Sequence, residues 1–236
     1  METKNRNHYL SLEKIFRILW YAVAFGITLY LGWEMWETGK QPFTAVCIFV
    51  LTVFLGYMCV SVLVGRSPIW SNVLGMSANV GEIYTQYLFG NLGLAASSLY
   101  YFITHILGLS LWTQKKNQDR QGKVKISKIN YTSLVLTILF CVLGVLIMYF
   151  CGETIIGKET SFWLFILNCI AFVIGVSAQF TMIMRQPFSW ILWSVSNLIW
   201  FTVNLLSHNY IFAVQSVLYE INALIGVYKW YKESGK

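Results

Sequence analysis

The stretch FTAVCIFVLTVFLGYMCVSVLV, from Phe43 to Val64, decides the fold because it has no charged residue over a length that crosses a lipid bilayer. The whole chain of 236 residues shares this character: 57% of its residues are hydrophobic, 17% aromatic and only 11% charged. A soluble domain has about 25% charged residues, so this chain lacks the charge to cover a water-exposed surface. The composition therefore excludes a soluble enzyme, a disordered chain and a secreted disulfide scaffold, and it predicts an all-α, polytopic membrane protein.

Similar apolar runs lie on both sides of Phe43–Val64, and together they predict about eight transmembrane helices. Two of the runs are too long for one helix and are divided at short breaks, one at Gly90, Asn91 and Gly93 and one at 207–209. The predicted spans are 16–36, 43–64, two within 67–114, 131–151, 161–184 and two within 186–228.

The distribution of Lys and Arg predicts the orientation of these helices. With eight spans both termini share one side, and fifteen of the 17 basic residues fall on that side, many of them in the loop 115–128. Only Lys40 and Lys158 fall on the other side. Because cytoplasmic loops carry the excess of positive charge, we predict a multi-pass plasma-membrane protein with both termini in the cytoplasm. The net charge of +7 then reflects topology, and no nucleic-acid partner is expected.

A shift of 118 residues aligns the first part of the chain with the second, placing Asn79 on Asn197 and Tyr101 on Tyr219. The repeated unit has three spans, and the intervening fifth span lets the second copy enter the membrane in the same direction as the first. Parallel repeats of this kind are a transporter architecture with the substrate near the membrane midplane. We therefore predict an N-terminal helix at 1–40, a first repeat at 41–114, a basic loop with a linker helix at 115–152 and a second repeat at 153–236.

The seventh span carries the densest pattern of aromatic and polar residues, WILWSVSNLIW from Trp190 to Trp200. Trp190, Trp193 and Asn197 follow one another at spacings of three and four, so their side chains share one face of a helix. Two indoles one turn apart form a slot for a flat or cationic ring, and the asparagine amide offers both a donor and an acceptor. Ordinary aromatic packing or an interfacial aromatic belt is the alternative interpretation.

The motif W-x-x-W-x-x-x-N on the penultimate span resembles the Pnu vitamin-transporter family, and so does the closing segment NALIGVYKW, from Asn222 to Trp230. The resemblance covers spans two to eight and implies a three-plus-one-plus-three bundle like that of full-length SWEET transporters, with one extra N-terminal helix. It implies facilitated diffusion of an unphosphorylated vitamin precursor, best known as nicotinamide riboside, which a cytosolic kinase then traps. The resemblance implies a substrate-binding role for the motif residues Trp190, Trp193 and Asn197. Asn79 matches a similar asparagine in the first repeat of the family.

Two positions on the fourth span depart from the family pattern. Nicotinamide riboside carriers of this family often have Gln and Asn there, whereas this chain has Ser98 and His105. The substrate is therefore left open among nicotinamide riboside, thiamin, riboflavin and deoxynucleosides, all of which relatives in the family carry. A sugar fits less well, because paired indoles and few polar residues suit a ligand that bears a base.

Three ionisable residues lie inside the predicted spans: Glu82, His105 and Glu220. Such residues are costly in lipid, so each is expected to face a cavity or a partner. A cavity-lining Glu220 favours a cationic ring, and hydrogen bonding within the bundle is the alternative for all three. The predicted binding site also includes four secondary lining residues: Gln179, Ser98, Tyr219 and Asn222.

Motifs of other function classes are missing from the sequence. It contains no H-E-x-x-H, no G-x-S-x-G and no G-x-x-x-x-G-K-[ST], which argues against an intramembrane protease, a hydrolase and an ATP-driven pump. The five cysteines form no C-x-x-C pair, so neither a metal site nor a redox site is expected. We predict a carrier without cofactor or metal, whose partners are a nucleoside-like small molecule and the lipid bilayer. A homo-oligomer is compatible with the sequence.

Overall fold

The structure, a computed structural model, describes residues 2–88, 92–156, 161–207 and 210–234. Within these residues the chain forms eight α-helices and one short 3₁₀ turn, Lys115–Asn117, which confirms the all-helical fold class. The helices are α1 (Glu2–Glu37), α2 (Phe43–Val64), α3 (Trp70–Leu88), α4 (Leu92–Trp112), α5 (Tyr131–Ile156), α6 (Phe162–Ile183), α7 (Ser189–Leu206) and α8 (Tyr210–Ser234).

Six of the described helices are long and apolar enough to cross a membrane by length and composition, against the eight spans predicted from the sequence. The two that fall short are α3 and α8, both of which carry several polar residues along their length. Of the predicted breaks, Gly90, Asn91 and residues 208–209 lie outside the described residues, as does Lys158. Gly93 lies within α4, and Ser207 follows the end of α7.

Helix α3 is polar where it is buried and apolar where it is exposed. It buries Asn72, Asn79 and Gln86, whereas Trp70 and Tyr87 are both more than 60% exposed. A surface helix of a water-soluble protein has the opposite distribution. Helix α5 exposes apolar side chains along most of its length, as a lipid-facing helix does. This distribution is the one expected of a multi-pass membrane protein, in which polar groups avoid the lipid.

The chain divides into two compact units, Met1–Val50 and Leu51–Lys236. In the first unit, Trp36 at the end of α1 packs edge-on against Phe43 at the start of α2, with 5.5 Å between ring centroids. In the second unit, α3 packs against α4, α6 against α7, and α7 against α8, while α4 also contacts α6. All the residues that form the cavity described below belong to the second unit.

The turns after α2 and α6 have the same form. Arg66 and Arg185 both have a positive φ, 65° and 60°, a conformation that residues other than glycine seldom adopt. The residue after each arginine donates its backbone N–H to a carbonyl five residues earlier, at 3.3 Å after α2 and 3.0 Å after α6. Both are Schellman-type helix ends, and a proline follows in each case.

Part of the basic loop after α4 joins these two turns. Val124 donates its backbone N–H to the Arg66 carbonyl at 2.9 Å, and Ser127 donates to the Arg185 carbonyl at 3.0 Å. The Val124 side chain is fully buried in a cluster with apolar residues of α2, α4, α6 and α8. We call residues 124–127 the clasp, because they hold the ends of α2 and α6 together.

Candidate functional site

A cavity of about 120 Å³ lies between α2, α3, α4, α6, α7 and α8. Protein cavities of roughly 150 Å³ hold a benzene-sized ring, so this one has room for about one aromatic ring. Eight of the eleven residues predicted from the sequence line it: Asn79, Glu82, His105, Gln179, Trp190, Trp193, Asn197 and Tyr219.

Trp190 and Trp193 line the cavity from the first turns of α7, and Asn197 lines it one turn further on. The ring contacts of these indoles are with other helices: Trp190 packs edge-on against Trp230 at 5.7 Å, and Trp193 packs edge-on against Tyr101 at 5.4 Å. Each indole therefore has its own aromatic support on a different helix. The Trp190 side chain is also fully buried, and its Nε1 has no hydrogen-bond partner among the described residues.

Glu82 places a carboxylate on the cavity wall and receives hydrogen bonds from two other helices. Ser98 of α4 donates to its Oε2 at 3.1 Å, and Gln215 of α8 donates to its Oε1 at 3.3 Å. The same Gln215 amide lies 3.0 Å from the Tyr219 hydroxyl. The carboxyl group is thus held by α4 and α8, which fixes its position on the cavity wall.

His105 places an imidazole on the cavity wall, and Asn72 of α3 holds that ring. His105 Nδ1 lies 3.1 Å from Asn72 Oδ1, while the Asn72 amide nitrogen donates to the Pro68 carbonyl at 2.9 Å. Asn72 and His105 are both buried, so this contact satisfies polar groups that would otherwise lack a hydrogen-bond partner.

Gln179 enters the cavity from α6 and is fixed by α4. Its amide nitrogen lies 3.0 Å from Thr104 Oγ1, and both residues are buried. The remaining polar wall is formed by Asn79, whose amide nitrogen donates to the Gly75 carbonyl at 2.8 Å. This bond uses one of the two N–H groups, so the second N–H and the Asn79 oxygen are left to contact a ligand.

Three of the predicted residues do not line the cavity in the described part of the chain. Ser98 acts on it only through Glu82. Asn222 is buried and directs its amide nitrogen to the Leu218 carbonyl at 3.3 Å. Glu220 accepts a 2.5 Å hydrogen bond from Ser194 in the seam between α7 and α8, so the cavity carboxylate is that of Glu82 and not that of Glu220.

Several residues of this site were not predicted from the sequence. Tyr101 lines the cavity, and the 118-residue alignment with Tyr219 was the signal that identifies it. Asn72 and Gln215 act through His105 and Glu82, and no sequence pattern marks them. Small residues complete the wall, and their lack of bulk leaves the space open: Gly56, Cys59, Gly75, Ala78 and Ala223.

Comparisons with known proteins agree on one family. A profile of the nicotinamide mononucleotide transporter family matches residues 46–232. The nicotinamide riboside transporter PnuC of Haemophilus influenzae is 22% identical over 229 residues, which are 96% of this chain and 94% of that protein. The crystal structure of the vitamin B3 transporter PnuC matches with a TM-score of 0.69 at 20% identity, over 91% of this chain and 92% of that chain. At this identity the structural match shows a shared fold.

Proposed function

Because the chain belongs to the nicotinamide mononucleotide transporter family, we propose that it carries nicotinamide riboside across the plasma membrane by facilitated diffusion. The family and the fold are those of a transporter and not of an enzyme, as the motif on α7 predicted. The observation that carries the substrate proposal is the composition of the cavity, which brings indole rings, amide side chains and a carboxylate around a ring-sized space.

Nicotinamide riboside joins a flat, positively charged pyridinium ring to a ribose. The indole faces of Trp190 and Trp193 attract such a ring, and each cation–π contact is worth about 0.5–2 kcal/mol. The Glu82 carboxylate supplies the opposite charge on the same wall. Asn79 and Asn197 offer amide groups to the ribose hydroxyls, so the wall carries complementary groups for both the ring and the ribose.

The proposed transport is passive. The sequence has no phosphate-binding loop for ATP, and a passive carrier needs only a downhill gradient. Phosphorylation of the imported molecule by a cytosolic kinase would maintain that gradient. Thiamin shares a cationic ring and is the first alternative substrate, whereas riboflavin and deoxynucleosides are neutral and make no use of Glu82.

We also propose that α2–α4 and α6–α8 are parallel three-helix repeats joined by α5. The helix bounds support this arrangement: α3 and α7 end at Leu88 and Leu206, and α4 and α8 begin at Leu92 and Tyr210, each pair 118 residues apart. The matching Schellman turns at Arg66 and Arg185 are a second, independent correspondence.

The proposed topology places both termini and the clasp on the cytoplasmic side, as the distribution of basic residues favours. Cysteines introduced singly at Gln121 and Lys158, in a variant without native cysteines, would react with an impermeant maleimide from opposite sides of the membrane. Reaction of both from the same side would refute the topology and the parallel repeats together.

The substrate proposal is tested with purified protein in proteoliposomes. Binding and uptake of nicotinamide riboside, thiamin, riboflavin and thymidine are measured side by side, with protein-free liposomes as the control. Saturable uptake that prefers nicotinamide riboside is expected. A preference for riboflavin or thymidine would refute the substrate and leave the family assignment intact.

A further inference from the structure

The hydrogen bonds around Asn72 determine which nitrogen of His105 carries the proton. The Asn72 amide nitrogen donates to the Pro68 carbonyl at 2.9 Å, so the atom that faces the imidazole is the Asn72 oxygen. An amide oxygen only accepts, and His105 Nδ1 must therefore donate. A neutral imidazole has one N–H, so the opposite nitrogen, Nε2, carries a lone pair.

Nε2 is the atom that this arrangement leaves for a ligand. His105 Nε2 makes no hydrogen bond within the described residues. Nε2 and the two ring carbons beside it lie over Gly75, where a Cβ atom would overlap them, and His105 and Gly75 both line the cavity. The glycine thus makes room for the imidazole on the cavity wall.

The two halves of the site, α2–α4 and α6–α8, supply different interactions at matching positions. Under the 118-residue shift, Gly75 corresponds to Trp193 and His105 to Ala223, and all four line the cavity. One half therefore presents a large ring from α7 beside a small residue of α8, and the other presents a ring from α4 beside a glycine of α3. The indole offers a π-face to any flat ring, whereas the imidazole offers one directed acceptor.

We infer that Asn72 fixes His105 as a hydrogen-bond acceptor, and that His105 Nε2 receives an N–H of the ligand's carboxamide. This inference rests on the proposed function, since it assigns the group that recognises the amide of nicotinamide riboside. Asn197 carries both donors and an acceptor and can turn to suit a ligand that lacks an N–H. His105 is held in one tautomer and cannot adapt in this way. It therefore sets the specificity for a ligand that has an N–H, and Asn72 is the positioning residue.

The binding experiment compares nicotinamide riboside with 3-acetylpyridine riboside, which has the same charge and nearly the same shape but a methyl group in place of the amide nitrogen. We expect calorimetry to show that the wild type binds nicotinamide riboside about tenfold more tightly, the usual worth of one well-made buried hydrogen bond. His105→Phe keeps a ring against Gly75 but removes the acceptor, and it should abolish this preference. An unchanged preference in His105→Phe would overturn the inference.

Variants of Asn72 test positioning separately. Asn72→Leu should reduce the preference to about threefold or less, because the freed imidazole populates both tautomers. Asn72→Asp retains an oxygen that accepts from Nδ1–H, so this variant should keep the preference of the wild type. Asn204→Leu is the matched control, since Asn204 is equally buried and makes the same kind of bond to the carbonyl four residues back, away from the cavity. A preference that survives Asn72→Leu would remove the positioning role.

The tautomer of His105 can be measured in the absence of any ligand. The chain has three histidines, so nitrogen NMR of protein labelled only at histidine resolves them, and the spectrum of His105→Phe identifies the His105 signals. We expect protonated Nδ1 in the wild type and in Asn72→Asp, and a mixture in Asn72→Leu. Protonated Nε2 in the wild type would overturn the inference even if nicotinamide riboside binds. Failure of nicotinamide riboside to bind, with Nδ1 protonated, would instead refute the proposed substrate.

Discussion

Tyr101 and Tyr219, 118 residues apart, each place a hydroxyl against a glycine on the first helix of the opposite half. The Tyr101 hydroxyl lies so close to Gly175 on α6 that a Cβ atom there would overlap it, and the Tyr219 hydroxyl lies similarly close to Gly56 on α2. Both tyrosines also line the cavity. The phenol of each half thus packs against a glycine of the other half, where any larger side chain would collide with it.

Gly56→Ala should destabilise the protein because its new methyl group overlaps the Tyr219 hydroxyl, and overpacking of this kind costs about 1–3 kcal/mol. In a Tyr219→Phe background the same change should cost much less, since the nearest ring carbon is 3.3 Å from the Cβ position. Thermal unfolding of both single variants and the double variant measures this coupling. Gly26→Ala is the control, because nothing lies within 4 Å of that position. Equal costs in both backgrounds would contradict the close approach.

The two indoles of α7 should respond differently to truncation. Trp193 is half-buried, so Trp193→Ala should weaken binding by about 1–3 kcal/mol, the worth of one lost ring stack, with little change in unfolding temperature. Trp190 is fully buried against Trp230, and Trp190→Ala should also cost about 3–5 kcal/mol of stability. Trp193→Phe should recover part of the binding. Normal affinity in a folded Trp193→Ala variant would leave Trp193 as a packing residue.

The cavity carboxylate should select for ligand charge. A unit charge pair at 4 Å is worth about 4 kcal/mol at an effective dielectric constant of 20, and a quarter of that changes an affinity about fivefold. Glu82→Gln should therefore weaken binding of nicotinamide riboside or thiamin about fivefold or more and leave thymidine nearly unaffected. Glu220→Gln is the comparison, because Glu220 does not line the cavity in the described structure. Equal weakening of charged and neutral ligands by Glu82→Gln would show that the carboxylate acts only as a hydrogen-bond acceptor.

The helices were predictable because each contains a long run with few or no charges, which is a local property, and α2 was predicted to the residue. The motif on α7 was predictable for the same reason, since spacings of three and four place Trp190, Trp193 and Asn197 on one face. The hydropathy of α3 and α8 is low because their polar residues face the interior, so composition alone underrates them as membrane spans.

The choice between Glu82 and Glu220 was not predictable. Adjacent residues point about 100° apart around a helix, so Tyr219 and Glu220 do not share a face, and only the packing of α8 decides which one lines the cavity. Asn72 and Gln215 were missed because their role consists of contacts between helices. Such contacts depend on how α3 and α8 are rotated in the bundle, and they produce no periodic pattern in the sequence.

The clasp should be essential for stability. Val124→Asp places a charge at a fully buried position between α2, α4, α6 and α8, and an unpaired buried charge costs several kcal/mol, on the order of 3 or more. We expect a large fall in unfolding temperature and rapid protease cleavage within 115–128. Lys123→Asp is the matched control, since the neighbouring side chain is exposed and should tolerate the change. A Val124→Asp variant as stable as Lys123→Asp would show that the clasp is dispensable.

Passive transport of a cation has a measurable signature. Without a membrane potential, uptake of nicotinamide riboside into proteoliposomes should stop at equal concentrations, because a passive carrier changes the rate and not the equilibrium. One elementary charge is worth about 2.3 kcal/mol per 100 mV, so an inside-negative potential of about 60 mV should raise the final internal concentration about tenfold.

A neutral substrate such as thymidine should show no response to the same potential, and a proton gradient without a potential should change neither ligand. A phosphorylating kinase with ATP inside the vesicles should raise total accumulation while the free nicotinamide riboside stays at its equilibrium level. Accumulation driven by a proton gradient at zero potential would contradict facilitated diffusion. It would assign proton transfer to the ionisable groups on the cavity wall, Glu82 and His105, and Glu82→Gln should then abolish the uphill component but leave the downhill exchange.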